Sequence, residues 1–492
     1  MTRLPSLALI AHKRQGGFLM RSIQHSISDG SAAFRKITDA FLAQPGLPFA
    51  TLLTADRIHR SFERHGGLFG RRGIYNTALT LWAFLGQVLQ DGKAAACQFA
   101  VASVIAYQEL TGGDVPTSDT GDYCKARASL PVAALRELAT ETAALAEAQA
   151  EPAWLWKGRH AKLVDGFTFT LPDTPQNQAA YPQQKGQKPG VGLPIARACA
   201  VLSLATACML DLRLSRYTGK QTGENSLLRQ MASGFSPGDV VVGDRYYCSF
   251  MLIALLLARK VDVCARMHQK RHVDFRRGKR LGKYDHLIEW RRPARPEWMD
   301  AATYETIPAT LTLREIRFHV TEPGYRTEVL TIATTLVDPG EYTKEDIAEM
   351  YGYRWHSELD IRSIKTSLHL GHVRCKSPEM VHREVWTTLL GYNLIRTTAA
   401  GAALLHGVRP REISFTATCQ QILSTWLTLA VWPQTTAESL PLAERLLFRI
   451  AQCRVGQRPG RIEPRVLKRR RHGYPLMQEP RQTFQQNHPT KG

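Results

Sequence analysis

Apolar residues recur at helical spacing along the first third of the chain. "TALTLWAFLGQVLQ" and "AALRELATETAALAEAQAE" carry them at intervals of three and four, the second against a background rich in Ala, Leu and Glu, and both predict helices. Between them, "GGDVPTSDTGDYCKARASLP" reads as a loop leading into a short basic helix capped by Ser118 or Thr120. That helix is either a DNA reader or an ordinary connection in a bundle. From about residue 160 the period shortens: "AKLVDGFTFTLP" alternates apolar and polar residues, ends in Pro and predicts a strand. "ARACAVLSLATACMLDLRLSR" predicts one or two buried strands. "GENSLLRQMASGF" follows as helix, "PGDVVVGDRYY" as turn and strand, "SFMLIALLLARK" as buried helix and "VDVCARM" as strand. This succession is an α/β pattern.

Residues 266–341 break it. A base-crowded stretch precedes two alternating strands, "ATLTLREIRFHVT" and "YRTEVLTIATTLVD", which "EPG" joins as an antiparallel hairpin. Thr343, with Asp346 three residues on, then opens a helix through a capping box. Beyond residue 376 the pattern is helical again, and the last stretch is too polar and too rich in Pro and Arg to pack. The expected organisation is a helical N-terminal DNA-binding region (1–155), a core in two parts (156–265 and 342–400), a β-rich basic insertion between them (266–341), a helical C-terminal region (401–455) and a basic tail (456–492).

Charge narrows the partners. Lys and Arg outnumber Asp and Glu by 64 to 43, a net +21 that favours a polyanion, nucleic acid foremost. The competing account is a basic protein without such a partner. Nine scattered cysteines with no CxxC fit reduced core thiols in a cytosol better than a disulfide framework or a zinc site. The longest apolar runs, Phe250–Ala258 and Ala198–Leu210, fall short of the roughly 20 residues of a membrane span. The first residues lack a cleavage pattern, so a cytoplasmic protein without signal peptide or membrane contact is expected.

The chemistry concentrates in "YGYRWHSELDIRSIKTSLHLG" (351–371). With Tyr351 at zero on a helical wheel, Arg354, Glu358 and Lys365 fall near 300°, 340° and 320°, one stripe about 60° wide. Met350, Ser357, Ile361, Ile364 and Leu368 form the adjacent stripe, which would bury the helix on a sheet. A carboxylate flanked by cations and a tyrosine at the edge of a core suits a metal ion with phosphates gripped alongside. One carboxylate cannot hold two ions, so partners are sought on strands. Asp165 lies inside "LVDGF", and Asp244 ends "DVVVGD" at the carboxyl edge where α/β sheets put their sites. Two strand aspartates and a helix glutamate compose a two-metal phosphoryl-transfer site. Each has a plainer account: Arg354–Glu358 as a surface i,i+4 pair, Asp244 as a cap or salt-bridge residue, Asp165-Gly166 as a turn. Asp173, in "PDTPQN", rivals Asp165 but reads as an Asx turn.

Tyr351, Arg354, Glu358 and Lys365, with two, three and six residues between them, resemble the Y-(2)-R-(3)-E-(6)-K signature of the insertion sequence 4 family of bacterial DDE transposases. "VDGFTFTLPDTPQN" and "GDVVVGDRYY" are similar to that family's two Asp blocks, and the resemblance spans roughly residues 70–480. It implies an α/β, ribonuclease H-like catalytic core interrupted by a β-rich insertion and flanked by N- and C-terminal helical regions. It implies that Asp165, Asp244 and Glu358 form a catalytic triad binding two Mg²⁺ ions, with Mn²⁺ able to substitute. Tyr351, Arg354 and Lys365 would grip DNA phosphates. The implied activity is cut-and-paste transposition: a 3′-OH freed at each terminal inverted repeat, a hairpin intermediate, then transfer into target DNA. A homodimer on double-stranded DNA follows from the need to join two ends, and nucleoid association from the substrate. Family members also hold a flipped base on a Trp of the insertion; here Trp290 and Trp298 are the candidates, with core packing or loop burial as the other account. Phe167 departs from the Ser or Thr that often follows the first Asp-Gly, which bears on local geometry.

Two basic strips would contact the DNA backbone without reading sequence: Arg276, Arg277, Lys279, Arg280 and Lys283 with Arg291 and Arg292, and then Lys468 to Arg471. A solvated run is the alternative for each. A ribonuclease H-like nuclease without strand transfer and a non-catalytic DNA-binding derivative stand as rival functions. A zinc hydrolase built on the 16 histidines is opposed by the absence of HExxH or paired Cys/His spacing.

Overall fold

The computed structural model describes residues 53–70, 73–319, 329–431, 436–456 and 477–487. Five helices come first: α1 (Ala55–Arg64), α2 (Thr77–Val88), α3 (Cys97–Thr111), α4 (Gly121–Ala128) and α5 (Val132–Ala148). α2 is apolar on every side and is buried from Thr77 to Leu85, so it is an inner helix rather than a surface one. Thr120 is the N-cap residue of α4 but makes no side-chain capping bond. Of the bases in α4, Arg127 is turned into the bundle, donating to Gln87 Oε1 at 3.0 Å with its guanidinium over Phe84, whereas Lys125 is exposed.

The sheet follows in β1 (Ala161–Thr170), β2 (Ile195–Ser203) and β3 (Met209–Arg216), with α6 (Pro175–Ala180) after β1. Next come α7 (Glu224–Gln230), β4 (Val240–Gly243), α8 (Phe250–Leu257) and β5 (Asp262–Arg266). Then β6 (Lys279–Gly282), β7 (Asp285–Arg291), α9 (Ala301–Thr306), β8 (Thr310–His319) and β9 (Val329–Thr334) complete a nine-stranded sheet in the order β3-β2-β1-β4-β5-β9-β8-β7-β6. β1 is antiparallel to β2 and parallel to β4, and β4 is parallel to β5. The segment rich in bases thus extends the same sheet, with β9 antiparallel to both β5 and β8.

Both faces of the central strands are covered, which explains why they read as almost continuous apolar runs. Alternate residues part to opposite sides. Leu163, Ala198, Val242 and Cys264 join the core that the long helices close, while Val164, Cys199, Val241 and Val263 join a second core under α7 and α8.

The continuous helix expected around Tyr351 is interrupted twice. α10 (Lys344–Gly352) begins with the predicted capping box of Thr343 and Asp346 and stops at Gly352, a poor helix former. There Arg354 N–H bonds the Tyr351 carbonyl, a tightened turn, before α11 (Trp355–Arg362) begins. Ser363–Ser367 then widens into a π-turn. The predicted buried stripe survives both breaks: Met350, Ser357, Ile361, Ile364 and Leu368 are all buried. α12 (Pro378–Leu405) runs against α5 and α2 and carries α13 (Phe415–Val431) and α14 (Thr436–Gln452), so early and late helices share one core; α15 (Arg481–Asn487) is the last described element.

Candidate active site

Asp165 sits in the interior of β1, not in a turn. Its side chain leaves the sheet on the face of Leu163 and Phe167, toward α10 and α11. Oδ1 accepts the Gly166 N–H at 2.9 Å, and Oδ2 lies 2.9 Å from the Ser357 hydroxyl of α11. Burial raises the pKa of this carboxyl, Ser357 and Arg354 oppose the rise, and Asp244 adds to it. Phe167 is buried beside Phe169, so the residue type that departs from the family pattern serves the core.

Asp244 follows the last residue of β4. β1 and β4 pair as Ala161↔Val240, Lys162↔Val241 and Leu163↔Val242. Continuing that register by two residues sets Asp165 alongside Asp244, on parallel strands about 4.8 Å apart. Asp244 Oδ1 accepts the Tyr246 N–H at 2.7 Å, which turns the chain back over the strand end. Gly243 makes this possible, because a Cβ there would stand 2.9 Å from the Tyr247 ring.

Glu358 reaches the same place from α11. Arg354 lies between the acids, with Nη2 2.5 Å from Glu358 Oε1 and Nη1 3.6 Å from Asp165 Oδ2. The i,i+4 pair expected on a surface is therefore one arm of a bridge to a strand aspartate 189 residues earlier in the chain. Asp165, Asp244, Glu358, Tyr351, Arg354 and Lys365 all line one cleft of about 580 Å³. Tyr351 is buried with its phenol pKa raised by that burial, and Lys365 Nζ donates to the Thr168 carbonyl of β1 at 2.9 Å.

Other predicted residues lie elsewhere. Trp290 is 3% exposed, sits in the second core, donates its indole N–H to Glu315 Oε1 at 2.8 Å and is covered by the Arg271 guanidinium. The fold gives it core packing, because β7 turns it inward. Trp298 is half-buried under the Arg229 guanidinium, 3.6 Å from the ring centroid. Arg276, Arg277, Lys279 and Arg280 are exposed, the first two beside Asp274. Arg292 leaves the expected strip: its guanidinium donates to the Tyr304 and Ile307 carbonyls. Asp173 is exposed and accepts from Gln178. Lys468 to Arg471 lie outside the described residues.

Several residues of the site were not singled out from sequence. Arg245 and Arg266 line the cleft, and burial together with Arg245 and Arg354 lowers the Arg266 pKa, the mark of cations crowded where an anion would relieve them. Ser357 was assigned only to the buried stripe. Glu224 had no signal beyond its place at the head of a helix.

The donor set is hard carboxylate oxygen, which suits a divalent cation such as Mg²⁺ or Mn²⁺ and not a soft metal. Among the described residues no three His, Cys, Asp or Glu side chains are grouped at ligating distance, and Arg354 holds the space between Asp165 and Glu358. No helix among them is long and apolar enough to cross a membrane.

A transposase DDE domain model matches residues 156–394, the span that holds all three acids. The chain is 26% identical over 447 residues to the transposase InsG for insertion sequence element IS4 of Escherichia coli (strain K12), covering 88% of this chain and 94% of InsG. A shorter match, 36% over 61 residues, joins 12% of the chain to 16% of the transposase for insertion sequence element IS421 of Escherichia coli. Among solved structures, a piggyBac transposase synaptic complex with hairpin DNA is similar at a TM-score of 0.42 and 10% identity, over 87% of this chain and 86% of that one. The matched domain makes this an enzyme, a DNA transposase, and a DDE domain implies dependence on a divalent metal ion. Residues 156–394 are thus a transposase DDE domain, and over most of its length the chain is similar to the transposase of insertion sequence element IS4.

Proposed function

We propose that the chain binds the terminal inverted repeats of its own insertion sequence and catalyses excision and strand transfer at Asp165, Asp244 and Glu358. The observation that carries this reading is the single cleft shared by three carboxylates distant in sequence and by the cations Arg245, Arg266, Arg354 and Lys365. Strand order β3-β2-β1-β4-β5, with antiparallel β2 and β3 on one side of β1 and parallel β4 and β5 on the other, supports a ribonuclease H-like core.

Asp165, Asp244 and Glu358 would hold two Mg²⁺ ions, or Mn²⁺ in their place, and the bound ions would supply an activated water and stabilise the departing oxygen. Arg354 and Lys365, with Tyr351, orient the scissile phosphate between them. The first displacement forms a bond from water oxygen to phosphorus and breaks the bond to the 3′ oxygen, leaving a 3′-OH and a 5′-phosphate. The oxygen of that 3′-OH then bonds to the phosphorus of a second phosphodiester as the bond to that phosphodiester's own 3′ oxygen breaks. The attacking hydroxyl loses its proton and the departing oxygen leaves as a new 3′-OH, while Arg354 exchanges its carboxylate partners for phosphate oxygens. The exposed bases at Arg276, Arg277, Lys279 and Arg280 bind the duplex backbone. Two copies act on the two ends, in the cytoplasm on nucleoid DNA.

The test is cleavage of a fragment carrying the element's own end in Mg²⁺. Asp165→Ala is expected to abolish it, and Glu358→Gln to retain end binding while losing cleavage. Joining of the freed 3′ end to a target plasmid separates transposition from hydrolysis alone. Full activity of Glu358→Gln would overturn the reading.

A further inference from the structure

We propose that Glu224, a carboxylate behind the catalytic cleft, is a positioning residue that strengthens the hold of Asp165 and Asp244 on a divalent cation. The inference rests on the reading of those two aspartates just given. Its first support is place. α7 packs Leu227 and Leu228 into the second core, on the face of the sheet away from α10 and α11, and this brings its first residue against the main chain of Gly166. A Cβ at Gly166 would lie 2.0 Å from the Glu224 carboxyl carbon and 2.3 and 2.4 Å from its oxygens. Bare main chain at that position is what admits the carboxylate within one residue of Asp165.

The second support is attachment. Tyr247 donates its phenolic proton to Glu224 Oε2 at 3.3 Å, and Asn225 Nδ2 donates to the Tyr246 carbonyl at 2.5 Å. Both partners belong to the turn that Asp244 opens. The head of α7 is thus tied at two points to the segment that aims the second aspartate, while its carboxylate lies against Gly166, the neighbour of the first.

The third support is charge. Burial, then Asp244, raise the Glu224 pKa, with Asp165 adding to the rise; the Tyr247 hydrogen bond and, more weakly, Arg197 oppose it without cancelling it. A half-buried carboxylate beside two others is costly until a cation arrives, and the arriving cation gains from all of them. Glu224 stands behind Gly166 and does not line the cleft, so it acts through its field and through the Asp244 turn rather than as a ligand.

The test uses the full-length protein, with free Mn²⁺ followed by electron paramagnetic resonance and unfolding followed without metal. Glu224→Gln keeps the shape and removes the charge. It is expected to weaken Mn²⁺ binding and raise the half-saturating Mg²⁺ for end cleavage, each about 10- to 100-fold. Its metal-free Tm should hold or rise, because a like charge has gone, whereas a purely structural role would lower it. Glu224→Asp, which keeps the charge, should recover most of the affinity. Mn²⁺ binding by Glu224→Gln equal to wild type, with Asp165→Asn defective, would overturn the role of Glu224 and leave the aspartates standing. Equal falls in metal-free Tm for Glu224→Gln and Glu224→Asp would also overturn it. Undiminished binding by Asp165→Asn would overturn the aspartate assignment itself, and the inference with it.

Discussion

Gly166→Ala is a one-carbon change whose consequences can be worked from distances. The new methyl would meet the Glu224 carboxyl carbon at 2.0 Å, where ordinary contact begins near 3.4 Å. Something must therefore yield by about 1.4 Å. β1 cannot yield readily, since Asp165 and Phe167 on either side are paired across to Ala200 and Ala198 of β2. The Glu224 side chain is the softer partner, and its retreat breaks the 3.3 Å bond from Tyr247. Overpacking of this kind costs about 1–3 kcal/mol, and a flexible side chain that gives way puts the cost near the lower end. In a chain of this size a loss of about 1 kcal/mol lowers Tm by roughly 2 °C. The assay is a double-mutant cycle with Glu224→Ala, read by thermal unfolding and by end cleavage. Stability should return in the double variant, with a coupling energy of about 1 kcal/mol. Cleavage should not return, because the displaced carboxylate is then missing altogether. Additive effects on Tm, or a double variant with wild-type cleavage, would refute the reasoning.

Four further outcomes are expected. Arg354→Gln removes the cation facing Asp165, so metal-free stability should fall by about 1–3 kcal/mol and Mg²⁺ should restore a larger share of it than in wild type, measured as the metal-dependent shift in Tm. Asp360 is buried between Arg396 and Arg411, and Asp360→Asn should cost about 3–5 kcal/mol in urea unfolding by stranding buried guanidinium charge. Burial alone would raise the Glu147 pKa, but hydrogen bonds and charge from His160 and Lys162 outweigh it and hold it at about 2. A folded pKa below the unfolded one gives stability that is present above about pH 4.5 and lost as pH falls toward 2, on the order of 2–3 kcal/mol, so the gap between wild type and Glu147→Gln should close across that window. Finally, Arg276 is engaged by Asp274 at 2.8 Å while Lys279 and Arg280 are exposed, so Arg280→Ala should lower the slope of log binding constant against log salt by about 1 and Arg276→Ala by less.

The kinds of element and their order were legible because they depend on neighbours in the chain. Strand β1 alternates, α2 is apolar all round, and Thr343 with Asp346 closes the capping box that the spacing announces. The spacing of Tyr351, Arg354, Glu358 and Lys365 was legible for the same reason, and so was the buried stripe beside it. Even where the helix breaks at Gly352 and widens at Ser363–Ser367, those four residues still line one cleft. What only the tertiary structure decided is convergence. The parallel register of β1 with β4 sets Asp165 beside Asp244, the packing of α11 on β1 delivers Ser357 and Arg354 to Asp165, and the seating of α7 on the opposite face brings Glu224 to Gly166. Nothing within a few residues of Glu224 or Arg266 distinguishes them, and nothing near Trp290 announces that β7 will turn it inward. Periodicity is written by contacts between residues close in the chain, whereas a site is made by side chains that meet because distant surfaces bury one another.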